Sequence, residues 1–284
     1  MDRLFIVIQH IIPQHLLSRL VGHLAALRRP RWLKNCVISL FIKQFNVVMA
    51  EAEEPDHTSY DSFNAFFTRA LKQGARPLAD TDILCPADGA VSELGTIREG
   101  LLVQAKGRHY TLEDLLGGNA ERAADFRGGK FITVYLSPKD YHRVHMPAGG
   151  DLTATSYIPG KLFSVNGVTA DNVDRLFARN ERLVCYFATA RGPMAVVLVG
   201  AMIVAGIETT WAGRVAPPPR EIVTLDYCDP PEPVSLYQGQ EMGRFLLGST
   251  VILLFPAGTV EFEERYLPGS PTRMGEALAR YTED

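Results

Sequence analysis

The stretch Phe245-Leu246-Leu247-Gly248-Ser249-Thr250-Val251-Ile252-Leu253-Leu254-Phe255 is an apolar run broken by one Gly-Ser-Thr. Its flanks, and Val251 to Phe255 most of all, predict a buried β-strand that ends at the turn Pro256-Ala257-Gly258. Such a strand does not need a glycine and a hydroxyl in its middle, because glycine weakens a strand and marks a kink or a close approach of backbone. Two readings compete. In the first, a strand simply starts after a turn. In the second, Ser249 Oγ attacks the carbonyl of Gly248, which no side chain shields, and turns the amide into an ester whose breakage splits the chain. Serine is a poor nucleophile without an adjacent base. The second reading therefore requires a histidine, oriented by a carboxylate, elsewhere in the chain. The esterase elbow G-x-S-x-G is excluded, since Leu247 and Val251 stand where its glycines belong.

Outward from this stretch, residues 83–264 offer short apolar runs separated by Gly and Pro. Phe131–Leu136, Leu183–Phe187, Ala195–Val199, Met202–Ile207 and Val251–Phe255 read as strands of a β-rich body. Tyr110–Leu116 and Asn172–Ala178 read as short helices. Pro217-Pro218-Pro219 and Asp229-Pro230-Pro231-Glu232-Pro233 read as surface loops. Residues 51–80 form a polar connection. With helices expected before it, the fold class is α+β, divided into an arm, 1–50, and a catalytic body, 51–284.

The arm differs from the body in charge. Residues 1–50 hold seven Lys or Arg against Asp2 alone, a net +6; the whole chain carries −3, so the remainder carries −9. No apolar run in the arm approaches the 18 or so residues of a spanning helix. Leu16, Leu17, Leu20, Val21, Leu24 and Leu27 fall at helical spacing, and Pro13 starts or kinks that segment. A second apolar stretch, Cys36 to Met49, follows Arg28-Arg29-Pro30-Arg31-Trp32-Leu33-Lys34. This combination predicts amphipathic helices lying in the interface of an anionic membrane; the competing reading is helices that only pack on the body. The overall composition, 46% hydrophobic and 21% charged with pI near 6.2, is that of a globular protein and not of a nucleic-acid binder. The four cysteines are far apart and fit a reducing compartment.

Seven histidines are candidates for the base. His142 and His145 lie close together in Lys139-Asp140-Tyr141-His142-Arg143-Val144-His145-Met146-Pro147, directly after the expected strand Phe131–Leu136, where a rigid scaffold can present them. Their H-x-x-H spacing would also suit a metal, but no third ligand pattern accompanies it, and no metal is expected. Asp88 stands at the apex of the turn Cys85-Pro86-Ala87-Asp88-Gly89-Ala90-Val91. Alone it reads as ordinary Asp-Gly turn chemistry.

Together the pieces are more specific. Pro86-Ala87-Asp88-Gly89, Tyr141-His142-Arg143-Val144-His145-Met146-Pro147 and Leu247-Gly248-Ser249-Thr250, in that order, resemble the bacterial phosphatidylserine decarboxylases. So do Phe66-Phe67-Thr68-Arg69, Pro159-Gly160-Lys161-Leu162-Phe163-Ser164-Val165-Asn166, Phe177-Ala178-Arg179-Asn180-Glu181-Arg182 and Gly239-Gln240-Glu241-Met242-Gly243-Arg244-Phe245.

The resemblance implies a proenzyme that cuts itself between Gly248 and Ser249 into a β chain, 1–248, and an α chain, 249–284. It implies a triad of Asp88, His145 and Ser249, in which His145 takes the Ser249 proton and Asp88 holds the imidazole in its working tautomer. Elimination from the ester leaves a pyruvoyl group in place of Ser249. The amine of phosphatidylserine condenses with this ketone to an imine, which accepts the electrons released with carbon dioxide, giving phosphatidylethanolamine. By the same resemblance His142 is the proton donor, Asp140 supports it, and Phe163, Ser164 and Asn166 line the headgroup site. The implied body is barrel-sandwich-hybrid-like. The implied state is a dimer of α/β pairs, peripheral on the cytoplasmic side of the cell membrane. Other classes stay open at this stage: an amidohydrolase with a free N-terminal Ser249, a membrane-docking domain without activity, and a soluble pyruvoyl decarboxylase of amino acids.

Overall fold

Strand Ser249–Phe255 runs through the middle of a large antiparallel sheet. In the computed structural model, which describes residues 2–202, 206–215, 220–228 and 233–283, it pairs with Lys130–Leu136 along its whole length. On its other side it pairs with Gly192–Gly200 from Ser249 to Leu254. The sheet continues from Gly192–Gly200 to Arg182–Thr189, Gly150–Ile158 and the edge strand Val223–Asp226. In the other direction it continues to Gly89–Thr96 and Pro271–Thr272.

Both faces of this sheet are covered, which is why its central strands read as continuous apolar runs rather than alternating ones. On one face Val251, Leu253 and Phe255 join Val134, Leu136, Val144, Met146 and Phe245 in a core shared with a second sheet. That sheet is made of Gly213–Arg214, Ile207–Thr209, Glu241–Phe245 and Arg143–His145. On the other face Ile252 and Leu254 pack with Leu102, Tyr110, Leu115, Phe126, Phe163 and Phe177. The Leu101–Ala105 and Arg108–Thr111 hairpin and several short helices supply that cover.

Three helices precede the body: α1 (Asp2–Ile11), α2 (Gln14–Ala26) and α3 (Arg31–Phe45), with Pro13 at the start of α2. A short α4 (Phe63–Phe67), capped by Ser62 accepting from the Ala65 N–H, follows. None of the described helices is long and apolar enough to cross a membrane. Helices α1 and α2 pack on the body through polar residues, whereas α3 buries Ile38 against Phe66. Gln9, 1% exposed, accepts from the Ser164 N–H and donates to Thr169 Oγ1. Gln14 accepts from the Leu162 N–H and donates to the Gln9 carbonyl. Many apolar residues of the arm are left uncovered: Ile11 is 76% exposed, Leu16 65%, Trp32 72% and Leu40 66%. Leu20, Leu24, Leu33 and Val37 are exposed beside them.

The expectation of helices followed by a β-rich α+β body holds, with differences in detail. The opening stretch is two strands and not one. Glu241–Phe245 ends at Phe245, and the next strand begins at Ser249. Gly248 between them has φ +54°, a left-handed conformation that glycine adopts without penalty. Tyr110–Leu116 divides between a strand end and the helix Leu112–Leu115. Asn172–Ala178 divides between the helices Gly167–Asn172 and Leu176–Arg179, because Arg175 turns left-handed at φ 54°. In Met202–Ile207, Met202 lies in a turn, residues 203–205 lie outside the described residues, and a strand starts at Ile207. The loop expected at 217–219, and 229–232 of the loop expected at 229–233, also lie outside the described residues.

Leu253 is fully buried in the central strand. Leu253→Ala is expected to lower unfolding free energy by about 2–5 kcal/mol, the usual cost of a large core truncation. Denaturant unfolding reads this directly; a loss under about 1 kcal/mol would mean the strand is not the centre of the core.

Candidate active site

Ser249 is the first residue of the central strand, directly after the Gly248 turn, and is opposite both Leu136 and Gly200. Alternation along the strand puts its side chain on the face of Val251 and Leu253, toward the core between the two sheets. It is fully buried, and its Oγ has no hydrogen-bond partner. A buried hydroxyl without a partner costs about 1–3 kcal/mol, so one at a strand start needs a reason.

His142 lies on the loop that follows Lys130–Leu136. Asp140 shapes this loop: its carboxylate accepts from the Ser137 N–H and Oγ–H at 2.7 and 2.6 Å, while its own N–H donates to the Ser137 carbonyl. His142 Nε2 faces that same carbonyl at 3.1 Å. A carbonyl only accepts, so Nε2 carries the proton and Nδ1 is left bare. Nδ1 is buried and has no partner. Burial, reinforced by the Arg69 charge, lowers the His142 pKa to about 3, so the ring is neutral at pH 7. The Phe245 N–H donates to the His142 carbonyl, which ties this loop to the strand end just before Gly248.

His145 is held differently. Its Nδ1–H donates to the Gly239 carbonyl at 2.8 Å, and its Nε2 accepts from the Tyr141 hydroxyl at 3.0 Å. Burial lowers its pKa, partly offset by the Gly239 bond, so it too is a neutral base at pH 7. The Asp88 carboxylate acts on His145 through its charge, but the group facing Nδ1 is Gly239. The His145 N–H donates to the Pro86 carbonyl, two residues before Asp88.

Asp88, 7% exposed, accepts from Arg76 Nε at 2.9 Å and from the Met274 N–H at 2.9 Å. Arg76 also donates to Glu51, which pairs with Arg273. Gly89 beside it has no room for a side chain, since a Cβ would lie 2.2 Å from the Tyr135 carbonyl oxygen. Thus Asp88 and His145 are neighbours without a direct hydrogen bond, and both His145 ring nitrogens are engaged away from Ser249 Oγ. Among the described residues no cluster of three or more His, Cys, Asp or Glu could hold a metal ion.

A cavity of ≈ 860 Å³ opens between the helical arm and the body. Leu24, Leu33, Val37, Phe41 and Phe67 are among its walls, and it reaches Leu247, Gly248 and Ser249. Ser164 and Asn166 line it, while Phe163 is buried beneath, its ring 4.9 Å from that of His10. The Asn166 oxygen is spent capping the following helix, accepting from the Thr169 N–H.

Comparison with known proteins identifies the family. A profile described as phosphatidylserine decarboxylase matches residues 63–280, and one described as PSD matches residues 4–46. The chain belongs to the phosphatidylserine decarboxylase family. It is 59% identical to the phosphatidylserine decarboxylase proenzyme of Ectopseudomonas mendocina (strain ymp), over 98% of each chain. Proenzymes of the same name from Pseudomonas aeruginosa (strain LESB58) and Alcanivorax borkumensis are 58% and 55% identical, over 98% and 100% of this chain and 97% and 98% of theirs.

Within this family member, the residues that sequence reading did not single out are Arg76, Gly239 and Tyr141 as a partner of His145. Tyr141 and Gly239 lie in the motifs quoted above. Arg76 stands in the polar connection with nothing local to distinguish it.

His142 also makes stability depend on pH. Its pKa is near 6.5 unfolded and about 3 folded, so between these values unfolding takes up a proton. Stability therefore falls as pH drops through 6.5, by about 1.4 kcal/mol per pH unit from this group. His142→Gln is expected to flatten the dependence by about one proton between pH 6 and 4, measured by denaturant unfolding across that range. An unchanged slope would mean that the ring is not held neutral.

Proposed function

We propose that this chain is a phosphatidylserine decarboxylase proenzyme that cuts itself between Gly248 and Ser249 and acts on its lipid at a membrane surface. The observation that carries the reading is the cavity of ≈ 860 Å³ that runs from the apolar arm to Ser249. It offers a lipid an apolar space that ends at Ser249.

The self-cleavage roles are Ser249 as nucleophile, His145 as base, and Asp88 as the charge that favours His145 once it is protonated. Because Tyr141 holds Nε2, the Ser249 proton reaches His145 only when that hydroxyl relays it or yields the nitrogen. Ser249 Oγ, buried without a partner beside an unobstructed glycine, suits conversion to a pyruvoyl group. That group supplies a ketone able to condense with an amine and to take up the electrons released with carbon dioxide.

The other residues bind and move protons. His142 Nδ1, bare and buried, takes a proton from the substrate ammonium as the amine condenses and returns it to the carbon that loses its carboxylate. Asp140 holds its loop. Ser164 and Asn166 contribute to the wall around the headgroup, with Phe163 as their buried footing.

After the cut, residues 249–284 stay with residues 1–248, because the new N-terminus begins a strand paired on both sides. Association of two such pairs rests on the resemblance alone. The exposed apolar faces of α1 to α3, with Arg28, Arg29 and Arg31 beside Trp32, support a peripheral site on the anionic cytoplasmic face of the cell membrane.

Intact mass tests the chemistry first. The expected result is two chains, the smaller beginning at position 249 and lighter than its serine form by one ammonia. A smaller chain with an intact serine amine would replace the decarboxylase with an N-terminal-nucleophile hydrolase. His145→Ala is expected to remain uncut, and His142→Ala to be cut yet decarboxylate poorly; two uncut variants would overturn the division of roles. For the membrane, Ile11→Glu, Leu16→Glu and Leu20→Glu combined change exposed positions outside the cavity wall. Binding to anionic vesicles is expected to weaken about 100-fold, at roughly 1 kcal/mol per side chain, in a sedimentation assay. Undiminished binding would remove the arm from the membrane.

A further inference from the structure

The segment Phe66-Phe67-Thr68-Arg69 has no part in the chemistry above, yet three of its residues close around the His142 loop. The Phe67 ring stacks on His142 with centroids 4.0 Å apart and planes 25° from parallel. Arg69 Nη2 donates to the Lys139 carbonyl at 3.0 Å and to the Asp140 carbonyl at 3.4 Å. The Thr68 carbonyl accepts from Arg143 Nε at 2.9 Å, one residue beyond His142. Arg69 itself is 4% exposed and lies over the Phe66 ring at 5.6 Å. Its Nε and Nη1 are buried without a hydrogen-bond partner, and among the described residues it forms no ion pair with a carboxylate. A buried guanidinium without an ion-pair partner is costly and adds little to a fold that could use an apolar residue there, even with the Asp88 and Asp140 charges favouring it from a distance. Its position beside His142 is the feature that explains it.

We propose that Phe66 to Arg69 is the seat of His142: Phe67 sets the plane of the ring, and Arg69 grips its loop and places an unpaired positive charge beside it. Both are positioning residues and neither touches the reacting atoms. The inference rests on His142 as the proton carrier of the decarboxylation.

The surrounding charges leave Arg69 as the one that faces the ring. On the ring's own loop the Asp140 carboxylate is turned onto Ser137, and Arg143 is paired with Glu241. Tyr60, Asp88, Asp140 and Arg76 face Arg69. Tyr135 on the preceding strand faces Asp140. The strand that begins at Ser249 brings no charge near. Burial is the larger cause of the neutral His142, and the Arg69 charge is the second. Together they keep Nδ1 free of a proton in the resting enzyme, so that it is a strong acid whenever it is charged. The seat is also linked to the arm, because Phe41 of α3 touches Phe63, Phe66 and Phe67 at 5.1, 6.0 and 6.0 Å between centroids.

The experiment compares the processed wild-type enzyme with Arg69→Met and Arg69→Lys, each labelled with 13Cε1-histidine. NMR titration reads the His142 midpoint, its resonance assigned by its absence from His142→Gln. The pH profile of kcat is measured alongside on vesicles containing phosphatidylserine. Arg69→Met is expected to raise the midpoint by about one pH unit or more and to carry the acid limb of kcat upward with it, while Arg69→Lys keeps both near wild type. A wild-type midpoint in Arg69→Met would overturn the proposal. So would equal losses of kcat in both variants with no displacement along the pH axis, the mark of a merely structural residue. Phe67→Leu keeps the charge and removes the stack; it is expected to lower kcat at an unchanged midpoint, and a wild-type kcat there would also overturn the seat. Normal decarboxylation by His142→Gln would sink the proton-carrier role, whereas the midpoint in Arg69→Met would still decide whether Arg69 acts on the ring.

Discussion

The backbone of Ser249–Phe255 is hydrogen-bonded on both sides and its side chains are buried on both faces. A strand fixed in this way cannot shift register by one residue without reversing every side chain between the two cores. The position of Ser249 is therefore set by apolar packing over the whole sheet and not by local contacts. The turn before it is the opposite case. Gly248 adopts φ +54° and has no neighbour within 4 Å of the place a Cβ would occupy. Rigid and permissive backbone meet at the Gly248–Ser249 bond. A reaction that must hold a nucleophile still while an adjacent carbonyl changes geometry is favoured by such a junction. The unpaired Ser249 hydroxyl is the cost of placing it there.

The two histidines owe their different states to backbone carbonyls. Ser137 fixes the His142 proton on Nε2, and Gly239 fixes the His145 proton on Nδ1. One ring therefore offers a bare Nδ1 and the other presents Nε2 to a tyrosine hydroxyl. A pair of imidazoles three residues apart is thereby given two distinct tautomers, the kind of separation that lets neighbouring titratable groups take separate roles. The carboxylate assigned to orient His145 is occupied by Arg76, and that arginine also binds Glu51, which binds Arg273. These four residues join the start of the body, the Asp88 turn and the segment C-terminal to Ser249. Asp88 is positioned by both parts of the chain that a cut at Gly248–Ser249 would separate.

Much of this was legible in the sequence where one residue type has one physical use. The apolar runs gave the central strands, because a strand covered on both faces has no place for polar residues. The pair Gly248-Ser249 in such a run showed a break, and Asp88-Gly89 showed a turn. What sequence could not give was the partner of each polar group. Arg76 binds Asp88 across a bend, with nothing at either position to announce it. Gly239 acts through its carbonyl, which every residue possesses. Arg175, left-handed without being glycine, divided a helix that spacing alone would have continued. The arm shows the same limit: its apolar stripe was clear, but periodicity does not say which side of a helix meets the body.

That last point bears on how the proposed enzyme reaches a lipid. In an ordinary amphipathic helix on a globular body, the apolar face turns inward because burial of each large side chain is worth about 1.5–3 kcal/mol. Here Gln9, Gln14 and Ser18 are buried and the leucines are not. The buried glutamines are satisfied by the Leu162 and Ser164 N–H groups, so the polar face loses little on burial. The outward face gains only if something apolar covers it. In the proposed function a bilayer does so over the whole arm at once, and the cavity beneath the same helices would then open from that phase and not from water. On the proposed reading an acyl chain moves from membrane to cavity without exposure to solvent. Because Gln9 and Gln14 bind the segment that lines the cavity near Ser249, docking of the arm and the shape of the site are held by the same hydrogen bonds.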